Sequence, residues 1–177
     1  IEVGGITQHG QDGNPKPRMF RSSSSRSLVN RMGFNNPGSQ KMASTLENHY
    51  KKHGKPSVPL WINLGKSKIT PLEESHIDYS TTFKLLWQYG DVFVINVSSP
   101  NTPNLRELQN DESLAKIINS CQEINQELAN KNKSSTKPIL VKIAPELNDL
   151  QLEMVVNTAM SCGCDGIVAT NTTISRP

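Results

Sequence analysis

Residues 92–105 read VFVINVSSPNTPNL, and this stretch decides the fold. Its first four residues are apolar and mostly β-branched, which is typical of a strand buried on both faces of a sheet. Polar residues begin at Asn96, and Pro100 and Pro103 prevent continuation as a strand or a helix. The stretch therefore predicts a rigid polar loop at the carboxyl end of a buried strand, which is either an ordinary turn or part of a functional site.

Predicted strands and helices alternate along the whole chain. Strands are predicted at 1–7, 58–62, 92–95, 139–144 and 166–169, and a two-stranded excursion is predicted at 18–30. Four helices are predicted, the first two at 39–53 and 74–88. The third has an apolar face made by Leu114, Ile117, Ile118, Cys121, Ile124 and Leu128. The fourth has an apolar face made by Leu152, Val155, Val156, Ala159 and Met160. This order indicates a parallel sheet with right-handed crossovers, in either a doubly wound sheet or a (β/α) barrel.

Polar side chains at the ends of the predicted strands favour the barrel. They are Asn63, then Asn96 with Ser99 and Asn101, then Lys142, then Thr170, Asn171 and Thr172. In a barrel, the carboxyl ends of all strands converge on one mouth. No G-x-G-x-x-G follows a strand, which disfavours a dinucleotide-binding open sheet.

Lys142 interrupts an otherwise apolar strand. Burying an ammonium group costs several kcal/mol unless an anion or a strong acceptor offsets the cost. Two interpretations follow: a lysine that extends to solvent from an edge strand, or a cation placed beneath a group that becomes anionic, such as a reduced flavin ring or an enolate. Asparagines at the mouth suit a planar, amide-rich ligand.

Composition limits the remaining function classes. The chain has 177 residues and a net charge of +3, and its basic residues are scattered among few aromatics, which does not indicate nucleic-acid binding. The motif Cys162-Gly163-Cys164 has no second ligand pair, so no metal site is predicted, and no histidine is well placed to act as a base. No apolar run reaches the ~18 residues of a membrane span. Because the chain starts at Ile1 and Pro177 closes a motif, we expect a piece of a longer protein.

Six motifs resemble those of the quinone-dependent, class 2 dihydroorotate dehydrogenases, in order and spacing: GNPKPRMFR, NRMGFNN, NLGKSK, NVSSPNTPNLRELQ, LVKIAPEL and DGIVATNTTISRP. The resemblance implies an α/β fold, namely a (β/α)8 TIM barrel. Only part of this barrel is expected in the chain, from about strand two to strand six. The same resemblance implies one FMN, oxidation of dihydroorotate to orotate in pyrimidine synthesis, and a quinone as final electron acceptor. The amino-terminal segment that docks the parent on a bacterial cytoplasmic or organellar inner membrane, the first strand and the last two strands are expected outside this chain.

The resemblance also implies residue roles. Ser99 would be the base that takes a proton from carbon five of dihydroorotate, activated through a water or the Thr102 hydroxyl. The substrate contacts would be Asn30, Arg31, Met32, Gly33, Phe34, Asn96, Asn101, Asn171 and Thr172. The FMN contacts would be Gly5, Asn63, Asn96, Lys142 and Thr170. Gly5 replaces the family's serine or threonine and can offer only its backbone, and Asn104 replaces a glycine.

Two alternatives remain at this stage. The chain could be a truncated, non-enzymatic remnant that cannot hold FMN. It could also belong to another flavin-bearing barrel, such as a dihydropyrimidine or dihydrouridine reductase, although those enzymes favour a cysteine acid and lack the context of Ser99.

Overall fold

The fold was obtained as a computed structural model, which describes residues 1–101 and 104–175. The described strands are β1 (Glu2–Ile6), β2 (Met19–Ser22), β3 (Ser27–Asn30), β4 (Trp61–Leu64), β5 (Val92–Asn96), β6 (Ile139–Lys142) and β7 (Gly166–Val168). The helices are α1 (Ser39–His53), α2 (Ser75–Leu86), α3 (Asp111–Asn132) and α4 (Asp149–Ser161), with short 3₁₀ helices at Leu72–Glu74 and Leu105–Gln109.

Five strands form one parallel sheet in the order β1-β4-β5-β6-β7. The strands that take part lie side by side in the order in which they occur along the chain, and the helices connect them. The predicted alternation and the parallel sheet are therefore confirmed, and the arrangement is that of a partial (β/α) barrel. Strands β2 and β3 form the separate antiparallel pair that the sequence predicts at 18–30.

Strand β4 begins later than predicted. Val58 is 44% exposed, and the strand starts only at Trp61. Pro59 has no backbone N–H and cannot join the ladder of hydrogen bonds, which explains the late start. The shift puts Asn63 inside the strand, one residue before its end.

The predicted apolar face of α3 is confirmed, whereas that of α4 is only partly correct. On α4, Val155 and Ala159 are buried, but Leu152 and Met160 are 39% and 71% exposed. This helix buries a narrow stripe, because its main contacts are with one neighbouring helix and the short strand β7. On α3, the buried side continues through Asn125 and Ala129.

The core lies between the sheet and helices α2 and α3. Its largest fully buried side chains include Tyr79, Phe83 and Phe93, and the rings of the two phenylalanines lie 4.5 Å apart. Each fully buried side chain of this size stabilises the fold by about 1.5–3 kcal/mol relative to exposure. Within the described residues, no helix is both long and apolar enough to span a bilayer.

Candidate functional site

A cavity of about 350 Å³ opens at the carboxyl ends of the parallel strands. Most of the side chains singled out in the sequence line it, together with a few neighbours. The lining residues are Glu2, Gly4, Gly5, Asn30, Met32, Gly33, Phe34, Asn35, Asn63, Asn96, Ser99, Asn101, Lys142, Asn171 and Thr172. The structure therefore brings together residues from six separate segments of the chain.

Two residues from the predicted set do not line this cavity. The guanidinium of Arg31 donates from Nε and Nη2 to the Pro17 carbonyl, at 3.1 and 2.9 Å, and the residue is exposed. The Thr170 hydroxyl donates to the Asn171 carbonyl at 3.1 Å and is also exposed. Thr102, the proposed partner of Ser99, lies outside the described residues.

Ser99 is 6% exposed and lines the cavity. Its Oγ accepts a hydrogen bond from the backbone N–H of Asn101 at 3.3 Å. The side chain of Asn101 in turn donates to Asn30 Oδ1 at 3.1 Å, which ties the loop after β5 to the end of β3. All four histidines lie in the described residues, and none of them lines the cavity.

Three asparagines form a continuous chain of hydrogen bonds across the sheet. Asn96 Nδ2 donates to Asn63 Oδ1 at 3.1 Å, and Asn171 Nδ2 donates to Asn96 Oδ1 at 3.3 Å. The hydroxyl of Tyr79 donates to the Asn96 carbonyl at 2.9 Å. Because burial raises the pKa of Tyr79 well above its ordinary value, this hydroxyl stays protonated as a donor.

Ser98 supports this chain of amides, although its sequence position predicts no role for it. It is fully buried, and its Oγ donates to Asn96 Oδ1 at 3.0 Å and accepts from Asn171 Nδ2 at 3.1 Å. Adjacent serines after a strand point in different directions, and the pattern alone does not say which of them faces the cavity. In the structure, Ser99 lines the cavity while Ser98 holds the asparagines.

Lys142 is the last residue of β6, which pairs with β5 on one side and β7 on the other. The interpretation as an edge-strand lysine is therefore wrong. Its side chain is 20% exposed, and Nζ lies 3.3 Å from Oε1 of Glu2. Glu2 was missed in the sequence, although a carboxylate in the apolar run 1–6 is the same kind of signal as Lys142.

A second lysine, Lys66, is buried more deeply, at 3% exposure. Its Nζ donates to the carbonyls of Ser67 and Thr70, and burial lowers its pKa. It does not line the cavity. A buried lysine that follows a strand is therefore not in itself a sign of a site.

Outside the cavity, Arg106 connects three loops. Its Nε donates to the Ser98 carbonyl at 3.1 Å, and Nη1 lies 2.9 Å from Glu146 Oε2. The other carboxylate oxygen of Glu146 accepts from Thr173 Oγ1 and Ile174 N at 2.6 and 2.7 Å. The hydrogen bond from Thr173 is the main cause that lowers the pKa of Glu146, with smaller contributions from Ile174 and Arg106.

The family model described as dihydroorotate dehydrogenase matches residues 1–177. The chain belongs to the dihydroorotate dehydrogenase family. Similar relatives include the dihydroorotate dehydrogenase (quinone) of Cyanothece sp., which is 48% identical over 99% of this chain and 44% of its own length. The enzyme of the same name from Chloroflexus aurantiacus is 45% identical over 99% of this chain and 47% of its own length.

Solved structures of the family have the same fold. The ligand-free structure of the Eimeria tenella dihydroorotate dehydrogenase matches 99% of this chain and 52% of its own, with a TM-score of 0.89 at 35% identity. The structure of the same enzyme in complex with ferulenol gives a TM-score of 0.87 at 34% identity. The chain spans about half the length of the relatives that it matches. Its parallel sheet is thus part of the TIM barrel of the dihydroorotate dehydrogenase family.

The chemistry of the cavity fits a planar flavin ring. Asn63 and Asn96 provide amide groups, Lys142 provides a cation, and Gly4 and Gly5 line the cavity with backbone atoms, with the Phe34 ring close against Gly5. A Cβ on Gly4 would overlap the Asn63 carbonyl, and φ at Gly4 is +131°, so this position requires glycine. Within residues 1–101 and 104–175, there is no group of three or more His, Cys, Asp or Glu that could hold a metal ion.

Proposed function

We propose that this chain is the central part of an enzyme that oxidises (S)-dihydroorotate to orotate in de novo pyrimidine (UMP) biosynthesis. The acceptor of the hydride is FMN, and a quinone is the final electron acceptor. Membership of the dihydroorotate dehydrogenase family supports the proposal. The observation that carries it is that Ser99, the asparagine chain and Lys142 line one cavity.

In this proposal, Ser99 is the catalytic base. Its Oγ takes the proton from carbon five of dihydroorotate as its own hydroxyl proton passes to a water or to the Thr102 hydroxyl. The backbone N–H of Asn101, which already donates to Oγ at 3.3 Å, stabilises the negative charge that develops there. The loop keeps Oγ nearly buried, which strengthens this hydrogen bond relative to water.

The amides around Ser99 hold the substrate. Asn30 and Asn101 are hydrogen-bonded to each other, and both line the cavity together with Asn171 and Thr172. Backbone groups of Met32, Gly33 and Phe34 complete the substrate segment, and Arg31 contributes its backbone, because its side chain is held by Pro17. Each asparagine provides both a donor and an acceptor, which matches the imide and carboxylate groups of dihydroorotate.

Asn63, Asn96, Lys142 and the backbone of Gly5 would hold FMN, which accepts the hydride when it is bound. Thr170 is part of the same proposed set; it does not line the cavity itself, but it precedes Asn171, which does. Lys142 would stabilise the negative charge that the ring gains on reduction. The domain organisation belongs to the proposal too: strands two to six of one barrel are here, and the parent docks on a membrane surface through its amino-terminal segment and meets the quinone there.

The test is flavin absorbance of the purified 177-residue chain with added FMN, followed by anaerobic addition of dihydroorotate. We expect the chain to retain FMN and dihydroorotate to bleach it. Loss of a catalytic base slows such a step by roughly 10²–10⁴-fold, so Ser99→Ala should retain FMN and bleach at least 100-fold more slowly. Ser161→Ala, at the exposed end of α4, is the matched control. A chain that folds and stays colourless, or a Ser99→Ala variant that bleaches at the wild-type rate, would contradict the proposal.

A further inference from the structure

Glu2 and Lys142 meet across the interior face of the sheet. Glu2 lies on β1 and Lys142 on β6, with β4 and β5 between them. Neighbouring strands lie about 4.8 Å apart, so these two backbones are roughly 14 Å apart measured along the sheet. Their side chains nevertheless approach to 3.3 Å. The contact therefore crosses the concave face of the sheet, above the strands that carry Asn63 and Asn96.

One carboxylate oxygen of Glu2 serves two partners. Oε1 accepts from Asn63 Nδ2 at 2.6 Å and lies 3.3 Å from the ammonium of Lys142. A hydrogen bond of 2.6 Å to a charged acceptor belongs to the strong class. The ion pair has side-chain exposures of 34% for Glu2 and 20% for Lys142, so solvent screens it only in part.

Glu2 ends the chain of asparagine side chains and fixes the direction in which their amide groups donate. A carboxylate can only accept, so Asn63 must turn its NH₂ group towards Glu2 and its oxygen towards Asn96. At the other end, the backbone N–H of Ser98, which can only donate, points to Asn96 Oδ1 at 3.3 Å. Both ends therefore require the same orientation of the two amides.

We propose that Glu2 is a positioning residue that holds the ammonium of Lys142 and the amide of Asn63 at the floor of the cavity, and that its negative charge lowers the reduction potential of the bound flavin. This inference rests on the proposed function for the identity of the ligand. The physical reason is that a carboxylate beside Lys142 cancels part of the positive charge that a reduced, anionic ring would meet. Removing that carboxylate favours the reduced ring.

The first experiment needs no cofactor. In the unloaded chain, the side-chain amide signals of Asn63 in a ¹H–¹⁵N NMR spectrum report its bond to Glu2. We expect Glu2→Gln to move the Asn63 signals upfield in ¹H, because a charged acceptor is replaced by a neutral one, and to shift the Asn96 signals by less. Glu47→Gln removes a charge of the same sign from a surface ion pair with Lys51 and should leave both sets unchanged. Unmoved Asn63 signals in folded Glu2→Gln would overturn the inference.

The second experiment measures the midpoint potential of FMN bound to each variant. We expect Glu2→Gln to raise the ratio of affinities for reduced and oxidised FMN roughly tenfold, an upward shift of about 30 mV for a two-electron couple. Glu2→Asp keeps the charge and should stay close to wild type, and it also serves if Glu2→Gln folds poorly. An unchanged or lower potential in Glu2→Gln would overturn the redox role. If wild-type chain binds no FMN, the proposed function fails, whereas the NMR experiment still decides whether Glu2 positions Asn63.

Discussion

Replacing Asn125 by alanine should destabilise the fold more than most single substitutions. This side chain is 1% exposed on α3 and joins three elements. Its Oδ1 accepts from Trp87 Nε1 and from the Lys137 backbone N–H, each at 2.9 Å, and its Nδ2 donates to the Lys137 carbonyl at 2.8 Å. It thus fastens the end of α2 and the entry to β6 to the same helix.

The magnitude follows from the partners that the substitution leaves behind. An orphaned buried polar group costs about 1–3 kcal/mol. Trp87 is 5% exposed, so the loss of a partner for its indole N–H costs about 3 kcal/mol, the upper end of this range. The half-buried Lys137 backbone can bond to water instead, so each of its groups costs about 1 kcal/mol. The sum is roughly 3–5 kcal/mol, a large share of the ~5–15 kcal/mol that stabilises a typical domain.

Urea unfolding followed by circular dichroism measures this loss. With a slope of about 1–3 kcal/mol per molar urea, the midpoint should fall by on the order of 2 M. Gln126→Ala on the exposed side of the same helix should change stability by less than about 0.5 kcal/mol. In the double variant with Trp87→Phe, the losses should not add, because the orphaned indole N–H is gone. A loss below about 1 kcal/mol for Asn125→Ala, or strict additivity, would refute this reasoning.

Three further outcomes are expected. The hydrogen bond from Thr173, with Ile174 and Arg106, lowers the pKa of Glu146 below its ordinary 4.5. The ionised carboxylate therefore contributes stability above pH 4.5, and this contribution is lost as the pH falls through the lowered pKa. In Glu146→Gln, urea titrations between about pH 5 and 3 should show a weaker dependence of stability on pH. Burial raises the pKa of Cys164 to about 12 and raises that of the fully buried Cys121 further. A thiol reagent should therefore modify Cys162 first and Cys121 only on unfolding. Equal rates of modification at the three cysteines would contradict this order. Gly4→Ala should cost more than Gly54→Ala in urea unfolding, because both have positive φ but only Gly4 lacks room for a Cβ.

The sequence predicts the elements well because each obeys a local rule. Helix α1 has the predicted bounds, since its apolar stripe and Gly54 are local signals. The backbone at Asn104 is left-handed, with φ of 57°, a conformation that asparagine adopts more readily than most other non-glycine residues. The late start of β4 and the buried Asn125 were missed. The first depends on how Pro59 excludes pairing, and the second depends on a neighbouring helix that supplies Trp87.

The candidate site is predictable to the level of strand ends, and no further. Parallel strands share a direction, so polar residues that follow them meet at one edge. The conformation of the loop backbone decides which of Ser98 and Ser99 faces the cavity. The side chain of Arg31 turns away because a distant segment supplies the carbonyl of Pro17 as its acceptor. The pairing of Glu2 with Lys142 depends on the curvature of the sheet, which periodicity does not encode.

The agreement between chain order and strand order bears on synthesis at the ribosome. Each strand of the parallel sheet that emerges after β1 finds its partner already made, because β4, β5, β6 and β7 add one by one to the same growing edge. No strand of this sheet has to insert between two strands that were synthesised before it. The nascent chain can therefore build its core progressively, and at each stage the newest strand is the surface that a chaperone would need to shield.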